Sequence, residues 1–293
     1  MEWEVAIQAI IKRRAVASHP GGGPWKMLAE TLVLDDDPAR THQHRGYGRM
    51  TEETPSISPY PPHGAPMRPI RVIGLIAMLW VVSDLGYFYL LPALGVAPDY
   101  NNSGMAVSLF YAYWIGLAVI LFWPIYATWS RHTRWQTFER PLQSIVVWTF
   151  FYLAAVGYVG WLMPMLPPFD PTGRINPPDL PRASPWYFLP KSIDIMFQQM
   201  LVVALVLTLA TAGLTLRRIA LVCGLLFGGS HVLLLLGGSP VGYVVRFTVS
   251  ATLFGFCFPW LLLRVRNGLA YSYMVHWVFY AATVIIARVR IGN

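Results

Sequence analysis

A chain of 293 residues that is 55% hydrophobic, only 12% charged and +8 in net charge is not composed like a soluble domain, where about 25% of residues are charged. Its mean hydropathy of +0.47 selects a membrane protein, and the pI near 9.6 is what basic cytoplasmic loops supply without nucleic acid. No interleaved basic and aromatic surface argues for nucleic-acid binding. Cys223 and Cys257 both fall in apolar runs, as small packing residues rather than a disulfide framework or zinc knuckle.

In chain order, residues 1–66 form a polar N-terminal tail. Its stretch "DDDPARTHQHRGYGRMTEETPSISPYPPHGAP" is rich in Pro, Gly and His and too polar to bury a core, so disorder is expected. The opening "MEWEVAIQAIIKRR" fits a short amphipathic helix and lacks the apolar core and cleavage site of a signal peptide. Met50 and Met67 are alternative starts. His42 and His44 are read as solvated tail residues.

Residues 67–293 form the membrane domain. About 20 apolar residues cross a bilayer core, and seven segments are long enough: roughly 70–95, 104–128, 143–166, 186–214, 217–237, 241–264 and 268–288. The predicted fold class is therefore all-α, a polytopic membrane helical bundle of about seven transmembrane helices. The fourth segment is long and begins with an interfacial stretch, "PWYFLPKS". Arginines alternate between loops: Arg68 and Arg71, then Arg131, Arg134 and Arg140, then Arg217 and Arg218, then Arg264 and Arg266. The loop "APDYNNSG" has no Lys or Arg. The positive-inside rule then puts the N-terminus in the cytoplasm. Seven spans send the C-terminus outside; Arg288 and Arg290 disagree, so a shorter or re-entrant last span is the alternative.

Ionisable groups at membrane depth are costly and usually face a bundle interior. They are Asp84, Asp194, His231, Arg246 and His276, joined by the amides Gln198 and Gln199. Asp194 and Gln198 are four apart and share a helix face. Asp194 pairs with Lys191 or is a displaced carboxylate base. Asp84 pairs with Arg246 or forms a site of its own. Gly228, Gly229 and Ser230 beside His231 allow a neighbouring helix to approach closely. Gln198, His231 and His276 are expected at similar depth in the outer half of the bilayer. No cofactor or metal is expected. Zinc usually takes three or four protein ligands, only two histidines lie at depth, and bis-histidine haem would need them across a wide gap.

Residues 186–288 resemble the CPBP family of intramembrane proteases (CAAX proteases and bacteriocin-processing enzymes). That family carries E-E-x-x-x-R on one helix, F-x-x-x-H on the next and H-x-x-x-N or D on a later one. Here Phe227 and His231 supply F-x-x-x-H, Gln198 lies 33 residues before His231, and "FGFCFPWLLLRVRNGLAYSYMVHW" matches an apolar helix, a basic turn and a His-bearing helix. The departures are Gln198 and Gln199 for the glutamates, Val203 for the arginine and Tyr280 for the Asn or Asp.

The resemblance implies that Gln198 and His231 stand where a glutamate and histidine activate water, and that His276 stands where a histidine supports the oxyanion. A glutamine amide is no general base. The reading is thus a catalytically degenerate CPBP-like protein of the bacterial inner (cytoplasmic) membrane. It would bind membrane lipid, a transmembrane helix or a lipidated peptide. The alternatives are an active intramembrane endopeptidase, with Asp194 as base, and an accessory or structural subunit of a larger membrane complex.

Overall fold

The computed structural model describes residues 68–127, 141–168 and 180–291. The N-terminal tail, with His42, His44, Met50 and Met67, lies outside the described residues, as does the segment carrying Arg131, Arg134 and Arg140. Every regular element among the described residues is helical. Seven helices are long and apolar enough to cross a membrane, so the chain is an integral membrane helical bundle. We label them α1 (Pro69–Leu85), α2 (Gly104–Tyr126), α3 (Pro141–Gly157), α4 (Phe188–Thr211), α5 (Leu216–Ser230), α6 (Val241–Arg264) and α7 (Gly268–Ile291).

Two of these helices are extended by the same device. Beyond α1, a π-turn at Gly86–Leu90 leads into a last α-turn at Leu91–Ala93. Beyond α3, a π-turn at Tyr158–Leu162 leads into Met163–Met165. In each, a proline (Pro92, Pro164) follows the π-turn by two residues. A proline inside a helix has no N–H to give and pushes against the carbonyl four residues back. Widening the preceding turn relieves that contact without ending the span.

α4 is the axis of the bundle. Of its most apolar window 72% is buried, against 6% for α3 and 28–44% for the others. Ile195, Leu201, Val202, Ala204 and Leu205 are fully enclosed, and α1, α2, α5, α6 and α7 all pack on it. The helix stops at Gly213, whose φ of +77° suits a residue without Cβ. The Leu214 N–H returns to the Leu209 carbonyl and the Gly213 N–H to the Ala210 carbonyl, which together form a Schellman cap. α3 is the most peripheral helix and presents Ile145, Phe150, Leu153 and Val156 outward, as a lipid-facing helix does.

α5 and α6 meet through glycine. Gly224 and Gly228 form a G-x-x-x-G pair on α5. A Cβ on Gly255 of α6 would stand 2.6 Å from the Gly224 Cα, and one on Gly228 would stand 1.9 Å from the Thr252 hydroxyl. Helices in lipid associate by such close backbone approach. Of the small residues beside His231, Gly228 carries the contact, whereas Gly229 faces open space.

The last span is a full helix over Gly268–Ile291, not a shortened one. Its Arg288 guanidinium donates to the Ala183 carbonyl. The end of α7 therefore lies beside the 180–184 segment, which in turn meets the loop before α2 through the Ser184 N–H and Asn101 Oδ1 at 2.7 Å. A basic residue spent on a protein carbonyl says less about sidedness than a solvated loop arginine, which accounts for the disagreement of Arg288 with the loop charges.

Candidate functional site: a polar cavity at one end of the bundle

Three residues on one face of α4 begin the site. Lys191, Asp194 and Gln198 recur at helical spacing, and Ile195 between them is fully enclosed in the core. The Lys191 ammonium lies 2.7 Å from Asp194 Oδ2, and the Gln198 amide nitrogen donates to Asp194 Oδ1 at 2.9 Å. The expected Lys191–Asp194 pair thus forms, and it is buried: the two residues are 7% and 3% exposed. Burying two charges is expensive unless their remaining valences are met.

The loop before α2 meets one of them. The Tyr100 hydroxyl lies 3.0 Å from Asp194 Oδ2 and 3.0 Å from the Tyr111 hydroxyl on α2. A phenol has one proton, so Tyr100 gives its proton to the carboxylate and accepts from Tyr111. Burial and the Asp194 charge push the Tyr100 hydroxyl well above the ordinary tyrosine range, and it stays a donor. Lys191 also sits over two aromatic faces, 4.2 Å from the Tyr280 ring centroid and 4.9 Å from that of Tyr100, where ring quadrupoles favour a cation. Asp194 therefore accepts from three donors on three side chains. That suits it to hold the local charge balance better than to take a proton from water.

These residues line a cavity of about 440 Å³. Pro98 and Tyr100 come from the loop before α2, Leu180 and Arg182 from the segment before α4, and Ser239 and Pro240 from the α5–α6 turn. All three connections lie at the same end of the bundle. Asp84 and Trp80 enter from α1, and His231 from the point where α5 tightens into a 3₁₀ segment, His231–Gly237. His231 Nδ1 lies 2.8 Å from the Phe227 carbonyl oxygen. Nδ1 is therefore the protonated nitrogen, and Nε2 carries the lone pair.

Gln199 and His276 occupy a second layer. Neither lines the cavity. They are fully buried and meet each other, Gln199 Nε2 to His276 Nδ1 at 3.3 Å. The Phe227 ring contacts both imidazoles edge-on, with centroids 5.1 Å from His231 and 5.5 Å from His276. So Gln198, Asp194 and His231 share one cavity with Tyr280, while Gln199 and His276 stand behind it. Val203, where the resemblance has an arginine, is buried in the apolar core of α4. Asp84 and Arg246 do not pair: Asp84 lines the cavity and Arg246 is exposed on α6.

Tyr100 and Tyr111 are absent from the sequence-based site. Tyr100 lies 94 positions before Asp194, in a loop whose one visible signal is its lack of Lys and Arg. Among the described residues, no group of three His, Cys, Asp or Glu side chains is placed to hold a metal ion.

Fold and site together define a class: a seven-helix membrane bundle that encloses a polar, aromatic-walled cavity near one end. Comparison of the chain with known protein families, with curated proteins and with solved structures finds no match.

Proposed function

We propose that the protein is a CPBP-like intramembrane binding protein that holds its ligand in this cavity without cutting it. The ligand is a transmembrane helix, a lipidated peptide or a lipid. The observation that carries the reading is the shared cavity of Gln198 and His231, the two positions that the resemblance assigns to water activation. With an amide at 198, the pair holds a polar group and has no carboxylate there to deprotonate a water. Asp194, the nearest carboxylate on the same helix, is committed to Lys191, Tyr100 and Gln198.

The loop arginines support a cytoplasmic N-terminus, with the cavity toward the external side. A photoreactive prenylated peptide tests the reading. It should crosslink to residues of the cavity wall and be displaced by unlabelled peptide or by lipid. Crosslinks confined to the lipid-facing surface of α3 would contradict it.

A further inference from the structure

Three acceptors in the cavity have no partner of their own. Asp84 forms no ion pair or hydrogen bond among the described residues, although it lines the cavity. Gln198 spends its amide nitrogen on Asp194, and its Oε1 is buried and unpartnered. His231 spends Nδ1 on the Phe227 carbonyl, which leaves Nε2 as an acceptor. The two other charges close to Asp84 cancel each other, since Lys191 and Asp194 are 2.7 Å apart. Arg182 is exposed at the cavity mouth. Asp84 lies nine residues before the end of its span at Ala93, about 14 Å at 1.5 Å per residue. An intramembrane carboxylate without a partner calls for one.

A primary ammonium group fits this set. It carries three N–H donors and one positive charge, and the cavity offers three acceptors, one of them an uncompensated carboxylate. Trp80, Tyr87, Tyr243 and Phe247 add aromatic wall, which favours a cation further. A quaternary ammonium has the charge but no N–H to give.

The cavity wall also says what the ammonium is attached to. On one side it is made by two irregular segments, the π-turn of α1 and the 3₁₀ segment after α5. They touch where Phe88 packs against Gly237 so closely that a Cβ there would stand 2.3 Å from the ring. Tyr89, Leu90, Leu235 and Leu236, next to this seam, are exposed apolar side chains on membrane-spanning segments. Acyl chains lie well along such a surface. Of the three proposed ligands, a lipid headgroup is the one that a cavity of about 440 Å³ matches most closely in size.

We infer that the cavity binds the headgroup of a lipid with a primary amine, with Asp84, Gln198 and His231 as acceptors and the chains leaving past the Phe88–Gly237 seam. This rests on the proposed binding function and specifies its ligand. The test is native mass spectrometry of the full-length protein in detergent, with equimolar phosphatidylethanolamine and phosphatidylcholine of identical chains. The wild type should retain phosphatidylethanolamine at least tenfold in excess. Asp84→Asn should erase that preference, and Gln198→Leu should reduce it several-fold.

Equal retention of the two lipids by the wild type overturns the inference without reference to any variant. So does an unchanged preference in Asp84→Asn. A lysine-containing transmembrane peptide that binds where phosphatidylethanolamine does not would keep the ammonium chemistry but overturn the lipid. Crosslinking of the prenylated peptide without lipid selectivity would defeat this inference alone. Peptide cleavage with lipid selectivity intact would defeat only the non-cutting function.

Discussion

At the scale of single residues, Asp194 organises the site. It is 3% exposed and accepts from Lys191, Tyr100 and Gln198. Removing one partner of a buried pair leaves an uncompensated charge, at a cost of about 3–5 kcal/mol. Lys191→Met should therefore lower the thermal midpoint sharply. Adding Asp194→Leu should restore most of the loss, because both charges then leave together. Tyr100→Phe removes one hydrogen bond to a charged group, worth about 1.5–3 kcal/mol.

The same tyrosine sets a pH dependence. Its hydroxyl is held well above the ordinary range by burial and by Asp194, so the folded chain keeps a proton that the unfolded chain loses near pH 10. The stability tied to that proton is fully present below about pH 10 and declines as pH rises beyond it. Thermal melts should be insensitive to Tyr100 ionisation at neutral pH. They should fall less steeply above pH 10 in Tyr100→Phe than in the wild type.

Which residues were legible follows from how they are positioned. Asp194, Lys191 and Gln198 sit on one helix, where spacing alone puts them on one face. Tyr100 and Tyr111 reach Asp194 only through tertiary packing. Gln199 illustrates the limit from the other side: its neighbour in sequence, Gln198, faces the cavity, while Gln199 points about 100° around the helix to His276.

Among the elements, the α5–α6 contact is the least forgiving. Gly255 faces the backbone of Gly224, and backbone cannot move aside as a side chain can. Gly255→Val should cost upward of about 1–3 kcal/mol, the usual range for overpacking, and reduce the yield of folded protein. Gly229→Ala, one residue from the close contact but in open space, should be tolerated. A thermal-shift comparison of the two checks the claim. Proline position fixes the two π-turns, but a sequence pattern of period 3.6 does not distinguish a widened turn from a regular one. The π-turn beyond α1 carries Tyr87 and Phe88 to the cavity wall.

For the whole molecule, the seven spans were legible because length and hydropathy decide them. The ends expected from the sequence lie within a few residues of the helices. The 3₁₀ segment at His231–Gly237 was not legible. It continues the apolar run Val232–Leu236 into the Gly237–Gly238 pair, and Gly238, with φ of +72°, ends it. Topology yields a further prediction. Cysteines introduced at Asn102 and at Arg266 should be labelled by a membrane-impermeant reagent from opposite faces, Asn102 from outside intact cells. Labelling of both from one side would contradict an alternating bundle with the cavity turned outward.

The proposed function requires the cavity to hold its ligand without cutting it, since position 198 supplies an amide, Gln198, and no carboxylate. The intact mass of a prenylated peptide, followed over hours with purified wild-type protein and with His231→Ala, tests it most directly. The peptide should keep its full mass with both proteins and stay bound to the wild type. Shorter fragments that appear with the wild type and vanish with His231→Ala would contradict it.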